Sequence, residues 1–154
     1  MTLADQQACL VAALTGRGPL PPGLDATRLR AAADALAFKR ARAVAQAWPS
    51  LRAMLGDDFR LLFAAYAETA PLPQQGGPLA DGRRFVRYVA ARIRLTDDPR
   101  MQALSVDLRY RQTSAGLLRR RWPQLRFAWL PGARRLVVGF GDSSFRLRLP
   151  CLGR

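Results

Sequence analysis

The stretch SSFRLRLP at residues 143–150 sets Phe145, Leu147 and Leu149 against Arg146 and Arg148 at a two-residue period. That period belongs to a strand with one apolar and one cationic face, and its chemistry is attraction of an anionic partner rather than bond-making. Bond-making groups are scarce elsewhere. The chain has no histidine, which removes the usual general base, most metal sites and any Ser-His or Cys-His nucleophile pair. Its two cysteines, Cys9 and Cys151, stand at opposite ends without ligand spacing.

Most acids sit where helix caps belong. Asp34, Asp58, Glu68, Asp107 and Asp142 remain, and no two share a helix face as an acid/base pair. Asp107, in VDLRYR, is placed to pair with Arg111 four residues on. GFGDS resembles a phosphate loop only superficially, because it joins two strands and reads as a hairpin turn. RQTSAGLLRRR reads as a solvated linker. No stand-alone enzyme and no cofactor are expected from this inventory.

The net charge of +14 is unevenly spread. Residues 1–80 hold 8 basic and 6 acidic side chains, whereas residues 81–154 hold 17 and 5. Every basic residue except Lys39 is arginine, as a GC-rich genome would write it. Codon bias does not account for so few acids in the second half, where a basic face for an anionic partner is expected.

These side chains need elements to hold them. Thr2 and Asp5 can cap a helix to about Leu14; its start lacks the basic n-region of a signal peptide, and no stretch is apolar enough to span a membrane. A soluble, cytoplasmic protein is expected. GRGPLPPG at 16–23 reads as a linker. Asp25 opens a long helix to about Ala47, Pro49 starts a short one that Gly56 closes, and Asp57 caps the next. In that next helix Phe59, Leu62, Phe63 and Tyr66 share one face. Asp81 is expected to cap a helix with Phe85, Val89 and Ile93 inward and Arg83, Arg84, Arg87 and Arg94 outward. Asp97 starts a further helix bearing Met101, Leu104 and Leu108.

Three short strands then follow, from LRFAWL (125–130), LVVGF (136–140) and the opening stretch. The expected fold class is α+β: a helical bundle of about six helices over residues 1–112, then a three-stranded antiparallel β meander in an appendage over 113–154. Trp48, Phe59, Phe63, Tyr66 and Phe85 fall at helical spacing and read as core, and the aromatics show no exposed base-stacking series. Trp122 and Trp129 stay open, because a three-stranded sheet buries one face.

The segment RLRAAADALAFKRARAVAQAWPSLRAMLGDDFRLLFAAYAETAPL, with its Trp48-Pro49-Ser50-Leu51 step and its Leu55 to Phe59 run, resembles a bacterial family first catalogued as a DNA-binding domain. That family comprises small partner proteins of multinuclear non-heme iron-dependent oxidative enzymes. The resemblance spans Asp25 to about Ala91. With its terminal strands the chain is similar in architecture to the methanobactin-biosynthesis partner subunit, whose helical region binds the iron enzyme and whose β region helps to hold a precursor peptide's leader.

What the resemblance implies is a non-catalytic subunit of a heterodimer in ribosomal peptide natural-product (RiPP) biosynthesis, with iron in the partner enzyme and none in this chain. It makes Arg40, Arg42, Trp48 and Pro49 candidates for the enzyme interface. It makes a β edge bearing Ser144, Arg146, Leu147 and Arg148, with Arg135, the candidate docking site for a leader peptide in post-translational modification. Phe145, Leu147 and Leu149 are then expected to pack inward on Phe127, Trp129, Val138 or Phe140, with Arg146 and Arg148 outward. The alternative, from another class, is a nucleic-acid-binding protein that uses the basic second half. Elemental analysis of the protein freed of any partner should find well under one iron or zinc per chain; a stoichiometric metal would overturn the reading of its ligand set.

Overall fold

A computed structural model describes residues 2–14, 19, 25–133, 135–140 and 143–148, and for residues 14, 135, 136 and 143–148 the backbone alone. The linker at 16–23 (bar Pro19), the turn residues 141–142, Leu149 and Cys151 lie outside the described residues. The architecture is mixed α+β, with α1 (Leu3–Leu14), α2 (Ala26–Ala47), α3 (Pro49–Leu55), α4 (Asp58–Thr69), α5 (Gly77–Ala90) and α6 (Asp97–Arg109) preceding the strands. None of these helices is long and apolar enough to cross a membrane.

Capping explains the first starts. The Thr2 amide donates to Asp5 Oδ2 (2.8 Å) and the Asp5 amide to Thr2 Oγ1 (3.2 Å), a reciprocal pair that satisfies two orphan donors. Asp25 Oδ1 accepts from the amides of Thr27 (2.8 Å) and Arg28 (3.5 Å). Asp81, by contrast, caps nothing. Proline in the first turn starts α5 at Gly77, after Gly76 in the left-handed region (φ 83°), which carries Asp81 into the second turn.

There Asp81 is wholly buried and held from three sides. Arg40 donates to it through Nε (2.5 Å) and Nη2 (2.7 Å), and the Tyr66 hydroxyl donates to Oδ1 (2.8 Å). Arg40 Nη1 donates to the Ala70 carbonyl (2.9 Å), so the guanidinium is also well satisfied. Burial and the neighbouring carboxylate push the Tyr66 hydroxyl well above its ordinary range. Burial alone would pull Arg40 down; its bonds to Asp81 outweigh that and raise it.

Around this pair Phe59, Phe63, Tyr66 and Phe85 make edge-on and tilted contacts, Phe63 and Phe85 with ring centres 5.0 Å apart. Trp48 is fully buried, and its indole N–H donates to the Leu79 carbonyl (3.1 Å). Gly82 is what lets α5 lie against that indole, because a Cβ there would run into the ring. Ile93, expected to face inward, lies beyond the end of α5 and is exposed.

Two strands continue directly from α6. Tyr110–Gln112 (β1) pairs antiparallel with Leu117–Arg119 (β2), and Leu117 enters the helical core. The linker expected here is therefore a hairpin straddling position 112. Its turn closes by Thr113–Gly116 backbone bonds (2.7 and 3.2 Å), and it is tied to the helices by Gln75.

Leu125–Leu130 (β3), Arg135–Phe140 (β4) and Ser143–Arg148 (β5) form an antiparallel sheet in the order β3-β4-β5. Register sets Ala128 opposite Val137 and Arg126 opposite Gly139. The row of Ala128, Leu130 and Val137 packs on Met101, Leu104 and Leu108 of α6. This corrects the expected facing: Phe127, Trp129 and Phe140 are exposed, so the face they share is not the inner one. The reason is steric. The Ala/Gly side admits the helix, and a Cβ at Gly139 would stand 2.5 Å from Leu108 Cδ1.

Removing the Asp81 carboxylate alone (Asp81→Ala) should cost about 3–5 kcal/mol in chemical denaturation, because it strands the Arg40 charge. Arg40→Met with Asp81→Leu should cost clearly less than the sum of the two single losses. Additive losses would show that the pair is not coupled.

Candidate peptide-docking surface

The sheet meets the helices along α6, and one turn pins the junction. Asp97, in the first turn of α6, accepts from the amides of Gly132 (3.0 Å) and Ala133 (2.7 Å) between β3 and β4. Its carboxylate thus supports the helix start and fixes the hairpin at once.

Beside this junction, a cleft of about 410 Å³ opens between α5, α6 and four consecutive residues of β3, Arg126 to Trp129. Arg83 and Arg87 reach it from α5, Arg100 and Asp107 from α6. Asp107 is clamped by Arg83 through Nε (2.8 Å) and Nη2 (2.6 Å), not by Arg111 as the spacing suggested. The interhelix pair wins because Arg111 lies on β1, past the end of α6, where the helical i+4 geometry no longer applies.

The other cleft arginines have no carboxylate partner among the described residues. Arg87 donates to the Gln112 side chain (3.3 Å) and Arg100 to the Leu95 carbonyl (3.1 Å). Arg126 repels nearby Arg120, whose guanidinium is lowered first by burial and then by that neighbour. Among its described lining residues the cleft is electropositive, with the one carboxylate there, Asp107, already paired with Arg83.

On the opposite side of the sheet Leu125, Phe127, Trp129 and Phe140 are 53%, 61%, 44% and 52% exposed, and Trp122 is 80% exposed. This apolar face has no cover among the described residues.

The residues picked from sequence divide into three groups. Ser144, Arg146, Leu147 and Arg148 lie on β5 and Arg135 on β4; Arg148 stands opposite Arg135, Leu147 opposite Leu136, Arg146 opposite Val137 and Ser144 opposite Gly139. How their side chains face lies outside the described residues. Arg42 and Pro49 are exposed, as an interface requires. Arg40 and Trp48 are corrected: their side chains are committed to Asp81 and to the core, and cannot anchor a partner. Arg87, Arg100 and Arg126 went unnoticed because their convergence comes from packing. The alternation of small residues at Ala128 and Gly139 was the available signal.

Among the described residues no group of three or more His, Cys, Asp or Glu could hold a metal ion.

The chain belongs to the family described as SCO6045-like, C-terminal domain, which it matches over residues 4–91, from α1 through the end of α5. It is 39% identical over 87 residues to a UPF0276 protein of Streptomyces avermitilis, a stretch that covers 56% of this chain and 18% of that protein. The chain thus spans less than a fifth of the length of that curated relative. No solved structure matches it. The cleft's α6 and β3 walls lie outside residues 4–91, the stretch that the family matches.

If the small-residue row is the buried one, Phe127→Ser with Phe140→Ser should change stability by no more than about 0.5 kcal/mol per site. Val137→Ser should cost on the order of 2–3 kcal/mol, as expected for a truncated, hydroxyl-bearing core residue. Denaturant titration in which the aromatic variants prove the costlier would reverse the assigned facing.

Proposed function

We propose that this protein is a non-catalytic partner of a larger oxidative enzyme of the multinuclear non-heme iron class, and that it helps to bring a precursor peptide to that enzyme. Three observations support the reading. A stretch of 87 residues matches only a small part of a relative, about four-fifths of which lies outside the match. A domain that is joined to a longer chain in that relative is suited to serve such a larger part as a partner. Asp5 and Asp25 are used in helix caps and Asp81 and Asp107 in ion pairs, which fits a chain suited to binding. And the sheet, beyond the family match, offers open edges with arginine nearby. The observation that carries most is the first.

With Arg40 and Trp48 turned inward, the partner contact falls to the exposed apolar groups of the helices. Phe38, 50% exposed with Arg60 stacked on its ring at 4.8 Å, and Leu61, 74% exposed, are suited to be anchors beside Arg42. In co-expression with a UPF0276-type protein, the wild-type chain should co-purify. Phe38→Glu with Leu61→Glu should reduce recovery about tenfold or more while leaving the circular dichroism spectrum intact. Failure of the wild-type chain to form any such complex would sink the reading.

One observation favours the alternative, a single-stranded nucleic-acid binder. The aromatic face of the sheet is exposed after all, and bases stack on such faces in basic proteins. Against it, only Phe127 and Trp129 of those aromatics are among the described residues that line the cleft with Arg83, Arg87 and Arg100; Trp122 and Phe140 are not.

A further inference from the structure

The antiparallel register sets Leu125 opposite Phe140 and Phe127 opposite Val138, so the exposed side chains of β3 and β4 form one apolar face. Trp122, three residues before Leu125, is the most exposed large apolar residue beside it, and Leu118 on β2 is open as well. Soluble chains seldom leave residues of this size together in water unless something covers them.

Charge narrows what the cover is. From Leu108 to Gly141 the chain carries eight arginines and no acidic residue. Arg111, Arg119 and Arg121 are exposed, and the ion pairs among the described residues leave all three out. Arg120, between two of them, is used differently: it donates to the Asp107 and Tyr110 carbonyls (3.1 and 3.2 Å). Two of the exposed arginines stand beside exposed apolar residues. Arg111 lies opposite Leu118 across the β1–β2 hairpin, and Arg121 directly precedes Trp122.

Three kinds of cover respond differently to that mixture. A second copy, docked face to face, would set the same arginines against one another. A nucleic-acid strand would stack on the rings and gain nothing from Leu118 and Leu125. An anionic bilayer takes every part: leucine and phenylalanine enter the acyl boundary, tryptophan settles at the headgroups, and arginine meets lipid phosphate. We propose that the exposed face of β3 and β4, with Trp122, Leu118, Arg111 and Arg121, is a peripheral docking surface for an anionic lipid bilayer. The proposal goes beyond the partner reading and does not depend on it.

Co-sedimentation of the full chain with vesicles of mixed phosphatidylglycerol and phosphatidylcholine tests this, against vesicles of phosphatidylcholine alone. The wild-type chain should bind the anionic vesicles about tenfold more tightly or better. Its tryptophan emission should shift to the blue on binding, and the shift belongs to Trp122 and Trp129 because Trp48 is already fully buried. Trp122→Ser with Phe127→Ser should weaken binding about tenfold or more. Arg111→Glu with Arg121→Glu should do the same, and the milder Arg111→Gln with Arg121→Gln should act in the same direction. Arg28→Glu with Arg30→Glu, at exposed positions of α2, should change affinity less than about threefold. Unfolding midpoints establish that each variant is folded, and if the glutamate pair at 111 and 121 is not, the glutamine pair decides.

Absence of wild-type binding to the anionic vesicles overturns the surface, as does equal binding to neutral ones. Binding without an emission shift, or an equal loss in the α2 variant, reduces it to general attraction of a basic chain and also overturns it. Oligothymidylate that shifts the emission and displaces the vesicles would assign the face to nucleic acid instead. A dimer in sedimentation velocity that the Trp122 and Phe127 variant abolishes would assign it to a second copy. Co-purification with the UPF0276-type protein is read separately: a chain that binds enzyme but no vesicles contradicts this surface alone.

Discussion

One thirteen-residue helix has to bury two faces. From α6, Ala103 and Val106 enter the helical core, while Leu104 and Leu108 enter a second cluster with Leu130 and Val137. A helix so used leaves little room on its sheet side, and the sheet meets it with Ala128, Val137 and Gly139. The large aromatics of β3 and β4 are thereby driven to the other face. The free edge of β3 is left alongside α5, so the cleft is a consequence of how the sheet docks.

The helical part rests on a different constraint. Arg40 and Asp81 are separated by forty-one residues and joined by two short charge-assisted bonds, with Tyr66 and the Ala70 carbonyl completing the shell. Such a pair is costly to break, which ties α2 to α5 in one register. It also sits inside the stretch that matches the SCO6045-like family. The fold thus separates a helical body that lies inside the family match from a basic α6–sheet face that lies outside it.

Much of the helical order could be read from the chain. Capping residues are few and stand where they act, so the starts at Thr2, Asp25 and Pro49 follow from local chemistry. Asp81 misled because a buried acid with a distant arginine looks, locally, like a cap. The hairpin over Tyr110–Arg119 misled because its strands are three residues each, too short for periodicity to show. The alternation along β3 and β4 was legible, but its sign was not. Hydrophobicity points aromatic residues inward, and here the steric demand of α6 outweighs it. The arginine convergence of Arg87, Arg100 and Arg126 belongs to tertiary packing and has no local signature.

The most direct measurement is acrylamide quenching of tryptophan fluorescence in the free protein, with Trp122→Phe so that only Trp48 and Trp129 remain. A sheet turned by α6 to hold its aromatics outward predicts one quenched tryptophan, Trp129, and one protected, Trp48. Protection of both, which would put Trp129 on the inner face, would contradict the account.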